Sequence, residues 1–149
     1  MRIFVTEFAD SKKEIERKLS DSTDKIIEHL LKLYLMPITS ARNHWISEIA
    51  NFLNKVNRFA GKNKFPNAKQ IYAWTYFKWK DLITDSSYLD ILVKNICDEY
   101  NITANESIED LSTQFDLICE KYFRWLSIQL STYGIVERQM IFKKLNELI

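Results

Sequence analysis

The chain has 149 residues, 46% hydrophobic and 28% charged, with a formal net charge of +1; these are the values of one globular domain, not of a disordered or polyionic chain. Two glycines and two prolines are too few for the tight turns of a β-rich fold or for a glycine-rich phosphate loop. No apolar run approaches the ~18–20 residues of a membrane span, and Met1–Phe8 is too short and too acidic (Glu7, with Asp10 following) for a secretory signal. The expected compartment is therefore the cytoplasm.

In chain order, Ile3 and Val5 alternate with Phe4 and Thr6. A lone strand has nothing to pair with, so the pattern reads as a short extended N-terminal arm. Ser11 and Glu14 then have the spacing of a capping box. Ile15, Leu19, Ile26, Leu30 and Leu33 follow at helical spacing. The Ser20–Thr23 cluster is a candidate kink and Pro37 a stop. A second helix spans about Ser40 to Phe59, with Trp45, Ile49, Phe52, Leu53 and Val56 on one face and Gly61 as a left-handed cap.

Asn67 opens a third helix reaching about Ile83. Ser86 or Ser87 opens a fourth, striped by Leu89, Leu92, Val93, Ile96 and Tyr100. Residues 101–105 read as a loop. Thr103 and Glu106 form a second capping-box pattern before a fifth helix through Ile108, Leu111, Phe115, Ile118, Tyr122, Trp125 and Leu126. Gly134 interrupts it, and a last helix over Ile135–Ile149 turns Ile141, Leu145 and Leu148 inward. The expected fold is all-α: a single domain over residues 1–149, an antiparallel or orthogonal bundle of five or six helices.

The run His29-Leu-Leu-Lys-Leu33, with Pro37, Arg42, Trp45 and Ile49 after it, resembles the bacterial family known as domain of unknown function 29. There a similar His-Leu-Leu-Lys-aromatic helix end leads through a proline and a serine/arginine turn into a Trp-x-x-x-Ile helix start. Ser86-Ser87-Tyr88-Leu89 is similar to a later Ser-Pro-Ser-Leu segment of that family, without the proline. The resemblance covers residues 11–49 and the segment around 86–100. It implies an all-helical fold and supplies no activity and no site residue.

Few chemistries fit the remaining residues. His44 and Glu48 share a helix face at i, i+4, but a zinc site needs three or four ligands, and a surface ion pair is the simpler reading. Arg42 and His44 are two apart and point to different faces. Cys97 and Cys119 fall within helix interiors, as small buried apolar residues do. Adjacent acids such as Asp98-Glu99 and Glu109-Asp110 diverge and read as solvated faces. No catalytic residue, cofactor or metal is expected.

Charge is polarised along the chain. Seven basic residues and no acid lie between Ile49 and Lys80, and ten acids with one base between Asp81 and Glu120. Segment 62–80 interleaves five lysines with Phe65, Tyr72, Trp74, Tyr76, Phe77 and Trp79. Two readings stand. Its aromatics belong to the core of the bundle, with lysines on the remaining strip; or some stay exposed beside lysines, as on a surface for single-stranded nucleic acid or a protein hot spot. The acids, in turn, either face a partner or neutralise the basic segment within the fold.

The first functional expectation is a small non-catalytic interaction protein, regulatory or adaptor-like, that binds another protein. The alternative is an RNA- or single-stranded-DNA-binding accessory subunit. The candidate binding residues for either partner are Lys62, Lys64, Lys69, Tyr72, Tyr76, Lys78 and Trp79. The candidate acidic partner surface is Asp98, Glu99, Glu109 and Asp110. A second copy of the chain is a further candidate partner; a membrane is not.

Overall fold

A computed structural model describes residues 12–62, 78–133 and 136–149. The expected N-terminal arm, Ser11 and Gly134 lie outside them. Among the described residues every regular element is helical: α1 (Lys12–Leu35), α2 (Arg42–Lys62), α3 (78–84), α4 (Ser86–Tyr100), α5 (Ile108–Tyr133) and α6 (Arg138–Leu148). The all-α expectation holds.

α1 is the central element, packing against α2, α4 and α5. Leu19, Ile26, Ile27, Leu30, Leu31 and Leu33 are fully inaccessible. The sequence reading captured one stripe of these (19, 26, 30, 33). Ile27 and Leu31 lie beside it, so the helix is buried on more than one side. Ser20–Thr23 does not break it: the helix is continuous from Lys12 to Leu35. Serine and aspartate disfavour a helix interior by only about 0.5 kcal/mol each, and burial of Leu19, Ile26 and Ile27 on either side of the cluster outweighs that.

α1 ends where the Met36 N–H reaches the Lys32 carbonyl (2.9 Å) and Pro37 offers no donor. Thr39 then starts α2, its Oγ1 accepting the Ala41 N–H at 3.3 Å. α2 lies along α1 and buries Trp45, Ile46, Ile49, Ala50 and Leu53. Its helix passes through Gly61 to Lys62, so Gly61 is not the expected cap.

α4 opens at Ser86, as expected, and Asp85 caps it. Its carboxylate accepts the Ser87 N–H (3.0 Å) and hydroxyl (2.6 Å), bonds that hold the carboxyl below its usual range. Asn101 ends α4 in the left-handed region (φ 52, ψ 49), which asparagine tolerates better than most residues. The cap of α5 also differs from expectation. Ser107 Oγ accepts the Asp110 N–H at 3.2 Å, while Glu106, the expected partner of Thr103, is engaged elsewhere. α5 buries Leu111, Phe115, Cys119, Tyr122, Phe123, Leu126 and Leu130. α6 begins at Arg138 instead of Ile135 and closes on α2 and α5 through the expected Ile141 and Leu145.

Candidate functional site

Polar side chains from four elements converge where α1 gives way to α2. Lys32 is buried for most of its length, and its ammonium lies 6.0 Å from the Trp45 ring centroid and 5.6 Å from that of Tyr100. Those two rings meet edge-on, 5.6 Å apart at 81°. A lysine stem buried along apolar surface with its head between aromatic faces gains from both packing and the ring quadrupoles. At the penultimate residue of the helix, the Tyr34 hydroxyl donates to Glu106 Oε1. That ties the 101–107 connection to α1, and Tyr34 also leans on Phe115 at 5.9 Å. Desolvation first, and the neighbouring carboxylate second, push the Tyr34 phenol up to about 12.

Arg42 braces the turn between α1 and α2. Its Nη1 donates to the Pro37 carbonyl (3.1 Å), and its Nε and Nη2 donate to Asn146 Oδ1 of α6 (3.1 and 2.8 Å). Ile38, at the crest of this turn, is 97% exposed. The turn is held from three sides and still presents a large aliphatic side chain to solvent.

The four acids of the sequence analysis flank the pinned connection. Asp98 and Glu99 close α4, and Glu109 and Asp110 open α5. All four are exposed, and none forms an ion pair with a described residue. Glu109 and Asp110 suit the positive end of the α5 dipole. Asp98 and Glu99 sit at the negative end of α4, where a cation would stabilise the helix and an anion costs it.

Of the basic aromatic set, Lys64, Lys69, Tyr72 and Tyr76 lie outside the described residues, as does the side chain of Lys62. Lys78, the first described residue of α3, is half-buried. Trp79 corrects its assignment to an exposed partner surface: it is 1% exposed, stacked on Phe123 with centroids 5.6 Å apart and planes 8° from parallel. Its faces are used within the core and offer no platform for a base. Among the described residues, Lys80 of the basic segment pairs with Glu120 of the acidic block (3.7 Å). Glu120 is also bonded to Arg124 (2.5 Å).

Of the two histidines and two cysteines, His29 and Cys119 face inward. His29 packs on Phe52 (5.5 Å), and its Nδ1–H donates to the Lys25 carbonyl at 2.7 Å. Burial lowers its pKa. Cys119 is sealed in the core, which raises its thiol pKa well above the ordinary value, and Cys97 is half-buried. His44 is exposed. Among the described residues no three His, Cys, Asp or Glu side chains are grouped to hold a metal.

Lys32, Tyr34, Ile38, Arg42, Glu106 and Asn146 were not among the expected site residues. A signal existed for Lys32, the one charge within an otherwise apolar run from His29 to Leu35. No signal in the sequence joins Arg42 to Asn146.

No family model matches the chain, and no curated protein or solved structure is significantly similar to it. No described helix is long and apolar enough to cross a membrane.

Proposed function

We propose that this chain is a small non-catalytic interaction protein of the cytoplasm, regulatory in role, that binds a partner protein carrying a basic surface. The contact is the end of the bundle framed by Asp98, Glu99, Glu109 and Asp110, with Ile38 as the apolar anchor. The observation that carries this reading is the exposure of those acids, which pair with no described residue, around a connection pinned by Tyr34 and Glu106. Two of them oppose the α4 dipole, a stability cost of the kind proteins retain for function. A surface already fixed before binding loses little ordering entropy on association, and same-sign charge steers a complementary partner. The neutral, packed His29 and the sealed Cys119 favour a binding role over a catalytic one.

Affinity purification of the wild-type chain beside D98K/E99K and E109K/D110K, read by quantitative mass spectrometry, tests the proposal. A specific partner should be captured by the wild type, fall away with both charge-reversed variants, and be released by moderate salt. A partner held equally by all three chains would remove this surface from consideration. Retention on heparin, undone by salt and unchanged by the acidic substitutions, would favour the nucleic-acid alternative.

A further inference from the structure

Between α5 and α6 lies an open cleft of about 250 Å3, lined by Trp125, Met140, Lys143, Lys144 and Glu147. That is smaller than the roughly 300–1,000 Å3 of small-molecule sites and suits one protruding side chain. Its aromatic wall is held in place: Trp125 leans on Tyr122 (6.0 Å), and the Lys144 ammonium lies 5.9 Å from its ring centroid. Met140, from α6, stays 38% exposed. Tryptophan and methionine are residue types that protein interfaces favour at their centres.

The rim of this cleft is basic. Lys143 is exposed, as is Lys121, one turn before Trp125 on the same face of α5. Neither forms an ion pair with a described residue. With Lys144 they outnumber Glu147, the single acid of the lining. The acidic end of the bundle has the opposite composition: Ile38, 97% exposed, stands there with Asp98, Glu99, Glu109 and Asp110. One chain thus carries an apolar projection in an acidic frame and an apolar cleft in a basic frame. The acids pair with no described residue, so these two surfaces do not meet within the chain. A second copy brings them together.

We infer that the partner of the acidic end is a second copy of this chain, with Ile38 of one copy entering the Trp125–Met140 cleft of the other. The inference rests on the reading of that end as a partner surface and names its occupant. Opposite charge on the two rims steers and orients the encounter. A contact with one apolar anchor is small, so the association is weak and sensitive to salt.

Sedimentation velocity at low salt, over a range of protein concentrations, tests it. The mass of the wild type should rise with concentration and return to that of the monomer in high salt. D98K/E99K and K121E/K143E replace only exposed side chains, and circular dichroism should show both folded. Each should associate at least about tenfold more weakly, because both rims then carry the same charge. Mixed one to one, the two variants should associate again, since each retains the surface that the other has lost. A wild type that is monomeric throughout, or folded variants that fail to complement each other, would overturn the second copy as partner; capture of a different protein by the acidic end would still stand. Association lost in K121E/K143E and untouched in D98K/E99K would show that copies meet away from the acidic end, and would overturn the inference as well.

Discussion

The Tyr34 hydroxyl donates to Glu106 across 72 positions of chain, and this bond couples the central helix to the connection that carries the acidic rim. Tyr34→Phe keeps the ring on Phe115 and deletes only the bond. The expected cost is about 1 kcal/mol in urea unfolding at neutral pH. The pH dependence has a definite sign. The folded phenol, raised to about 12, holds its proton more tightly than the unfolded one, with its ordinary value of 10.0. Its stabilisation is complete below pH 10 and is lost as pH rises toward 12. The stability difference between wild type and Tyr34→Phe should shrink over that interval; a constant difference would separate the bond from the shifted phenol.

Asp98 and Glu99 make a prediction that needs no partner. Both lie in the last turn of α4, which holds no basic residue, against the dipole. D98N/E99Q should therefore raise the thermal midpoint, on the order of 2–4 °C for a domain of this size, while weakening partner binding. A lowered midpoint would mean that the acids stabilise the fold and are not held there at a cost.

Trp79 and Phe123 stack in the core. Trp79→Ala removes one of the largest fully buried side chains and should cost about 3–5 kcal/mol; Trp79→Phe should recover much of it. Iodide should quench Trp79 emission poorly, measured by comparing wild type with Trp79→Phe. Ready quenching, or a neutral alanine substitution, would contradict the buried stack and restore Trp79 as a surface residue.

The helices were legible in the sequence where one face alone is buried. α5 repeats its apolar residues at three- and four-residue intervals, so Leu111, Phe115, Tyr122 and Leu126 were identifiable as core. α1 was less so, because a helix covered on several sides hides Ile27, His29, Leu31 and Lys32 from a single-stripe reading. Caps were the weakest inference. Three hydroxyl or carboxylate candidates often stand within four residues of a helix start, and which one turns to the backbone depends on tertiary demands such as that of Tyr34 on Glu106. The acidic surface was readable from charge runs. The clustering of Lys32, Trp45 and Tyr100, and the reach of Arg42 to Asn146, come from the fold alone.

Arg42 spans 104 positions to Asn146 and also holds the Pro37 carbonyl. Lysine keeps the charge but cannot reproduce a planar fork of donors. Arg42→Lys should destabilise by about 1.5–3 kcal/mol, the range for hydrogen bonds to charged groups. Amide exchange should accelerate first in α6 and in residues 37–41, since the lost bonds join those two segments. Uniform acceleration throughout the chain would show only global destabilisation, and an unchanged α6 would show that Arg42 does not anchor it.

His29 supplies the acid-side counterpart. Burial in the core lowers its pKa below the ordinary 6.5, an effect that the Lys25 carbonyl bond only partly offsets and nearby Lys32 reinforces. As pH falls through 6.5 the unfolded imidazole takes up a proton before the folded one does, so stability declines until the folded value is passed. His29→Gln should remove that component, giving a flatter stability profile between pH 7 and 5 in urea unfolding. The Cε1 proton of His29 should titrate with a midpoint below 6.5 by NMR. A midpoint at or above that value would mean that the imidazole accepts charge where it sits, and that the packing of His29 on Phe52 does not keep it neutral.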